Sequence, residues 1–516
     1  MMNKSFISAM FMCMMSQSVF SQDKAPLMDE GKYIYDDVMQ LWLNTNNASC
    51  IGIDSVDTHG LAQFGYNAGE GSYHRVQEGK SHNELSFFTE RYQKIGKSLY
   101  GYGSFNFNNG STKGRAWSDV MRTYNSNPFI SGSSVPGRYD NQDFTLTARV
   151  GTVDMNGLRL GMGMDYNVAD LSRLRDPRSR NRLLDYKVMP SLSYSTGGNT
   201  FGLSGYYQRR KEKMPSLTTV QNNPNLYYYQ MSGIDAITGT IGGYSGFARE
   251  YVNHAFCGEL SYGYRSSHVR TVNAISIARE TESILEQYKR EPGKYVAYKY
   301  GVSSQNRIVG DKIIHQLDLS ASFEQAYADE YRPQLVITID SVSGHSSYKY
   351  DNLMTYKKRY QMEKLDCKLL YQANFTNNSK IIRFAGAEVK LHDVNQKHLL
   401  PSSEFVYRTM TVNARYGQAL FNNHLWLNAE VGYLFSLKAN LSLSNADTDY
   451  AREVLLGDMN YYDADAFRGK LSIMYQMPVN IKGNRNMWFI KAYGETIRAK
   501  HSLNGSAYGL SMGLFI

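Results

Sequence analysis

Residues 425–441, LWLNAEVGYLFSLKANL, put Leu425, Leu427, Ala429, Val431, Tyr433, Phe435, Leu437, Ala439 and Leu441 on one parity. The other parity, from Trp426 through Glu430 and Lys438 to Asn440, is mostly polar. Successive side chains of a β-strand point to opposite faces, so this stretch predicts a strand with one apolar and one polar face. It is longer than a usual globular strand and suits one that meets lipid outside and a polar lumen inside. The alternation recurs in LDCKLLYQANF (365–375), LRLGMGMDY (158–166), DFTLTARV (143–150) and FGLSGYYQ (201–208). The chain closes on GSAYGLSMGLFI (505–516), where Tyr508, Leu510, Met512, Leu514 and Ile516 lie opposite mostly small residues. A soluble edge strand is usually blunted by charge or proline. A strand that closes a barrel in a membrane has no free edge to protect.

Connections alternate in length. Short ones fall at 95–97, 154–157, 196–199, 376–380 and 478–486; long, polar, irregular ones fall at 109–140, 167–184, 211–253, 282–306 and 442–464. Short and long connections on opposite rims are expected of an outer-membrane barrel, with the long loops outside. Counting back from the C-terminus predicts an all-β, transmembrane antiparallel up-and-down barrel of eighteen strands over residues 61–516, with sixteen as the alternative. Residues 22–60 do not alternate, and GKYIYDDVMQLWLNTNNAS (31–49) reads as a short helix and a turn. So wide a barrel cannot fill its lumen with its own side chains. The N-terminal segment is therefore expected either to plug the lumen or to pack as a periplasmic helix under the rim.

Composition supports export. MMNKSFISAMFMCMMSQSVFS (1–21) has one early lysine, an apolar run and a small residue at its end, the pattern of a signal peptide. No later run is long and apolar enough for a helical span. Tyrosine is abundant at 41 residues and proline scarce at 11. Cys50, Cys257 and Cys367 remain after the leader, an odd, widely spaced set that argues against a disulfide framework. The net charge of +9 is modest for this length, and nucleic acid is not an expected partner.

Candidate chemistry is sparse. Histidines are scattered, no close metal-ligand or cofactor motif occurs, and no G-x-S-x-G elbow stands out. Asp447, Asp449, Asp463 and Asp465 in one predicted outer loop offer oxygens to a cation but lack the EF-hand glycine and closing glutamate. The expected lumen face includes Arg159, Asp165, Lys368, Glu430, Lys438, Arg468 and Lys470. With Arg149, Lys187, Lys364, Lys390 and Lys491 set against Glu259, Asp318, Glu324, Asp366, Glu388 and Glu495 on the same face, its signs are nearly balanced, which suits a hydrated, salt-bridged wall. RLRDPRSRNR carries Arg173, Arg175, Arg178, Arg180 and Arg182, and QRRKEK carries Arg209, Arg210, Lys211 and Lys213. On two neighbouring outer loops these cations would bind an anion or the phosphates of lipopolysaccharide.

The stretches FFTERYQKIGKSLYGYGSFNFNNG (87–110) and RTYNSNPFISGSSVPGRYDNQ (122–142), with the C-terminal strand, resemble an uncharacterised outer-membrane β-barrel family of Bacteroidota. The resemblance implies a cell outer-membrane location and association with TonB-dependent uptake systems, with a TonB-dependent receptor or surface lipoprotein as partner. The leading expectation is a channel, transporter or accessory component of nutrient uptake, in contact with outer-membrane lipid and lipopolysaccharide. The alternatives are a surface-binding scaffold that does not transport and, more weakly, a barrel-embedded hydrolase.

Overall fold

The computed structural model describes residues 27–54, 56–220, 226–241, 247–339, 341, 345–481 and 484–516; the expected leader, 1–21, lies outside the described residues. Among the described residues three short strands (Ser131–Gly132, Tyr227–Met231 and Ile237–Ile241) pair in a separate small sheet, and eighteen strands form the barrel and run in chain order. The first six are β1 (His59–Gly71), β2 (Ser81–Ile95), β3 (Leu99–Arg115), β4 (Gly137–Thr152), β5 (Leu158–Arg173) and β6 (Arg180–Thr196). Next come β7 (Asn199–Met214), β8 (Arg249–Arg265), β9 (Val269–Glu286), β10 (Gly293–Val309), β11 (Ile313–Ile339) and β12 (Ser346–Asn377). The last six are β13 (Lys380–His398), β14 (Ser403–Leu420), β15 (Leu425–Ser442), β16 (Ala466–Ile481), β17 (Asn484–Ala499) and β18 (Asn504–Phe515). Each pairs antiparallel with its neighbours, and β18 returns to β1 with Leu61 opposite Phe515 and Gly71 opposite Gly505. The sheet is closed, and the C-terminal strand has no edge.

The outer surface is what closure in a membrane requires. Tyr508, Leu510 and Met512 on β18, Phe201 and Leu203 on β7, Phe256 and Leu260 on β8, and Ile275 and Ile277 on β9 all stand exposed. In water such a continuous apolar belt would be a liability; against lipid it is the favourable surface. The protein is an outer-membrane β-barrel. The inner parity of β18 is small because neighbours fill the space: a Cβ on Gly509 would lie 2.3 Å from the Tyr493 ring, and one on Gly513 would lie 2.4 Å from that of Phe489.

The expected loops are mostly too long. The connection expected at 167–184 is only 174–179, and that at 282–306 is only 287–292. The segment 478–486 is mostly strand, since β16 runs to Ile481 and β17 begins at Asn484. Strands lose their apolar face where they leave the hydrocarbon layer, yet their backbones go on pairing beyond it. The extreme case is the β11–β12 hairpin, with strands of 27 and 32 residues and register shifts near Ala328 and Arg332. A barrel of this strand number has a backbone radius of roughly 18 Å at a tilt of about 40°. Wall side chains alone leave the middle of such a ring empty. Other parts of the chain enter it from both mouths.

Candidate functional site

At the short-turn rim, the periplasmic side of such barrels, residues 27–54 lie within the wall. Helix α1 (Glu30–Met39) starts where the Asp29 carboxylate accepts from Lys32 N at 2.9 Å, and the Lys32–Asp36 pair at 2.7 Å reinforces its first turns. Two short turns follow, Trp42–Asn44 and Ala48–Cys50. The segment crosses the lumen on mixed contacts: Val38 and Met39 share a buried apolar cluster with Ile314, Ile381, Trp426 and Phe489 of the wall, and polar contacts run alongside it. Glu30 N donates to Gln476 Oε1 at 3.0 Å, Arg307 Nε to Val38 O at 2.6 Å, and Gln305 Nε2 to Leu41 O at 3.0 Å. Further along, Asn46 Nδ2 donates to Glu259 at 2.6 Å and Ser49 Oγ to Ser193 at 2.9 Å. Inward-facing glycines leave its backbone room: a Cβ on Gly161 would sit 2.1 Å from Ser49 N, and one on Gly202 would sit 2.3 Å from Asn47 Nδ2. Asp54 is buried here, accepting from Trp42 N at 2.9 Å, and burial pushes its carboxyl up to about 7.

At the opposite mouth the long loops fold inward instead of into solvent. Residues 116–136, expected to be polar and irregular, bury Trp117, Val120, Phe129 and Ile130 against lumen-facing Tyr251, Tyr295 and Tyr407. Trp117 Nε1 donates to Glu453 at 2.9 Å, which ties this loop to the one between β15 and β16, where helix α2 (Leu456–Asp463) lies. Inner-wall carboxylates hold the loop's polar atoms: Glu280 binds Arg122 at 3.1 Å, Glu282 binds Asn127 at 2.8 Å, and Glu212 accepts from Met121 N at 2.9 Å. Within the cap is a cavity of about 70 Å³ lined by Tyr124, Asn125, Gln396, Tyr407, Asp458 and Tyr462 among others. Asp458 Oδ1 and the Tyr124 hydroxyl are buried there without hydrogen-bond partners, and burial pushes the Asp458 carboxyl up to about 7. None of these residues was singled out in the sequence; the apolar Trp117, Phe129 and Ile130 inside a nominally polar loop were the available signal.

Between the two stoppers the wall is charged. Arg149 pairs with Asp165 at 2.8 Å, Lys368 with Glu388 at 3.1 Å, Lys390 with Glu388 at 2.7 Å, and Arg468 with Glu495 at 2.8 Å. Arg159 reaches Asp154 at 3.1 Å, and Glu430 lies across from Arg415 on one side and Lys470 on the other. Although they face inward, the Lys368 and Lys390 side chains are 44% and 50% exposed, so the chamber between the stoppers is open space lined with charge. Lys438 is the exception to the expected lumen set. The pairing skips Leu437, with Thr409 opposite Ser436 and Arg408 opposite Lys438, and this bulge inverts the parity beyond it. Lys438 joins Arg408 on the outer face, while Ala439 and Leu441, expected outside, pack against the inner cluster.

The nine basic candidates divide. Arg173 is buried, donating to Tyr139 Oη at 2.8 Å and Val135 O at 2.7 Å. Arg210 faces the lumen and pairs with Glu282. Arg175 donates to Pro136 O at 3.0 Å, and Arg178 pairs with Asp176 at 2.9 Å. Arg180, Arg182, Arg209, Lys211 and Lys213 share the outer face, on strands rather than on the loops expected for them. The four aspartates do not converge: Asp449 pairs with Arg452 at 2.7 Å, Asp465 with Lys500 at 2.6 Å, and Asp463 approaches His501 at 3.9 Å. Asp447 N donates to Asn445 at 3.1 Å, within the same loop. Among the described residues no three metal-ligating side chains gather. His392 meets Asp366 at 2.5 Å on the inner wall, and among the described residues no serine or cysteine hydrogen-bonds to that ring.

A family model described as a family of unknown function, DUF6850, matches residues 49–516. No curated protein matches the chain. The siderophore receptor PiuA from Acinetobacter baumannii aligns with a TM-score of 0.37 and 7% identity, over 88% of this chain and 82% of that one. The copper transporter OprC aligns at 0.39 and 8%, over 89% and 81%. OccAB3 of Acinetobacter baumannii aligns at 0.36 and 9%, over 89% of this chain and all of that one. The barrel is closed by this chain's own pairing of β18 with β1.

Proposed function

From a chain that belongs to this family of unknown function, DUF6850, we propose a gated outer-membrane channel for a small polar solute, working within a nutrient-uptake system. One observation carries the reading: a charged, solvent-exposed chamber lies between two stoppers made of different parts of the chain. A barrel that serves only as a scaffold gains nothing from ionised groups facing an interior space, where each must be kept hydrated or paired. The N-terminal stopper is held by hydrogen bonds to the wall, which exchange readily for bonds to water, and by an apolar cluster of Met28, Val38 and Met39 with wall residues; it also buries the Asp54 carboxyl, which gains by ionising on release. It is the part suited to moving. The cavity in the outer cap holds two buried polar atoms without partners, Asp458 Oδ1 and the Tyr124 hydroxyl, which suit contact with a solute's polar end. The balanced signs of the wall make the path weakly selective for charge. A TonB-dependent receptor or surface lipoprotein is the partner class this reading expects.

Planar-bilayer conductance tests it. The intact barrel should be nearly silent. Deletion of residues 27–54 combined with shortening of the 118–132 loop should give a steady ionic conductance. A doubly cut-back barrel that still shows the heat-modifiable migration of a folded barrel, yet carries no current, overturns the proposal.

A further inference from the structure

We propose that the outer wall formed by β5 to β8 binds the phosphates of an outer-leaflet glycolipid. Strand alternation on β7 sends Arg209, Lys211 and Lys213 outward, where Tyr186, Leu184 and Arg182 of β6 stand directly opposite them. Arg180 lies two residues beyond Arg182 toward the outer rim. Among the described residues, Asp170 and Glu250 oppose this group on the same face, each bound closely by one cation: Arg180 to Asp170 and Lys211 to Glu250, both at 2.8 Å. Arg182 and Lys213, paired across the strands, reach those carboxylates only at 4.0 and 3.9 Å, and their side chains are 63% and 56% exposed. Two neighbouring cations thus face outward with their charge largely unanswered.

Position identifies the occupant. Toward the membrane the patch gives way to Tyr186, Tyr207 and His254, where the Tyr207 hydroxyl meets His254 Nδ1 at 2.8 Å. Below these rings come Leu203, Phe201, Phe256 and Leu260, exposed to lipid. Aromatic girdles mark the boundary between the hydrocarbon and the headgroups. Arg209 is two residues beyond Tyr207, and Lys213 is six, which at the rise of a tilted strand spans about 5 to 15 Å past the boundary. That is the level of headgroup phosphates, and the side chains point sideways at them rather than up into solvent. A guanidinium fork binds phosphate bidentately, and the lysines add point charges. The neighbouring Arg182 and Lys213, flanked by Arg180 and Lys211, suit a headgroup that carries phosphates on a sugar backbone.

The test uses the purified barrel in a neutral detergent, with bisphosphorylated lipid A, dephosphorylated lipid A and inorganic phosphate as probes. The intact barrel should bind bisphosphorylated lipid A with an affinity that falls as salt rises. Dephosphorylated lipid A should bind roughly tenfold or more weaker. The variant carrying Arg180→Ser, Arg182→Ser, Lys211→Ser and Lys213→Ser should lose a similar factor while keeping heat-modifiable migration and an unchanged conductance. If both lipids bind equally, or if the variant binds as tightly as the intact barrel, the site is not a phosphate site. If inorganic phosphate at equal concentration displaces the lipid completely, the patch reads phosphate alone and the glycolipid assignment fails. Conductance is independent of all three outcomes, so failure here leaves the channel proposal where it stands.

Discussion

Gly161 and Gly202 show how single positions in the wall decide what the lumen can hold. Each sits on an inward parity between lipid-facing residues (Leu160 and Met162, Phe201 and Leu203), and each lies where the N-terminal segment runs closest to the strand. A side chain there would overlap that segment's backbone or the Asn47 amide. Gly161→Leu should therefore expel residues 27–54 without disturbing the strands, raising protease cleavage in that segment while the barrel keeps its folded migration. Cleavage no faster than in the intact protein would show that the segment is not seated against β5. The opposite parity answers to lipid. Met162→Arg, on the exposed outer face, should destabilise the barrel by about 2–4 kcal/mol if the position lies near the midplane. Denaturant titration in lipid vesicles would measure that loss. The two substitutions lie on adjacent residues and should fail in different ways, because a strand divides neighbours between two solvents.

At the scale of elements, the N-terminal segment is the unit most open to control. Asp54 titrates near 3.8 when free in water but is pushed up to about 7 in place by burial, against the pull of the Trp42 N–H and of Arg270, Arg265 and Arg307. Below pH 4 the carboxyl is protonated whether the segment is seated or released, and seating has its full strength. From there to about pH 7 the released segment gains by ionising, so seating weakens; above that range the weakening is complete. Glu30 and Asp37, raised in the same direction by burial, add to the effect. Protease accessibility of residues 27–54 should be higher at pH 8 than at pH 5, and Asp54→Asn should flatten much of that difference. An unaltered profile in the variant would assign the pH response elsewhere. The β11–β12 hairpin is an element of another kind. Its outer end exposes Leu335, Ile337, Ile339, Leu353 and Met354 and contributes none of the cap's buried cluster. Replacing residues 333–352 with a short turn should leave folding and conductance unchanged, which heat-modifiable migration and bilayer recording would check.

For the whole molecule, orientation follows from the two rims. Short turns lie on one side and the cap-forming loops on the other, so Ala446→Cys, in the loop between β15 and β16, should react with an impermeant maleimide on intact cells. Asn378→Cys, in the turn between β12 and β13, should not. The reverse pattern would invert the barrel in its membrane. In the proposed channel, gate and cap belong to one path: a solute entering through the cap would meet the paired wall and then the seated segment, which would have to leave before anything passed.

Strand parity, closure and the even count of strands were legible in the sequence because a wall between lipid and water leaves a period of two on nearly every residue it contains. The outward set of β18 and most of the expected lumen charges, Arg159, Asp165, Lys368, Glu430, Arg468 and Lys470, follow from that period alone. Lys438 did not follow, because one bulged residue reverses parity and leaves no mark in hydropathy. Loop lengths at 174–179 and 287–292 did not follow either, since pairing continues where the apolar signal stops. The rest belonged to the tertiary structure. Whether residues 27–54 sit in the lumen, which carboxylates hold the 116–136 loop, and that Arg182 stands across from Lys213 while Arg173 and Arg210 turn inward all depend on contacts between distant parts of the chain. Local alternation records which solvent a side chain meets. It does not record which other segment fills the space that the closed wall leaves.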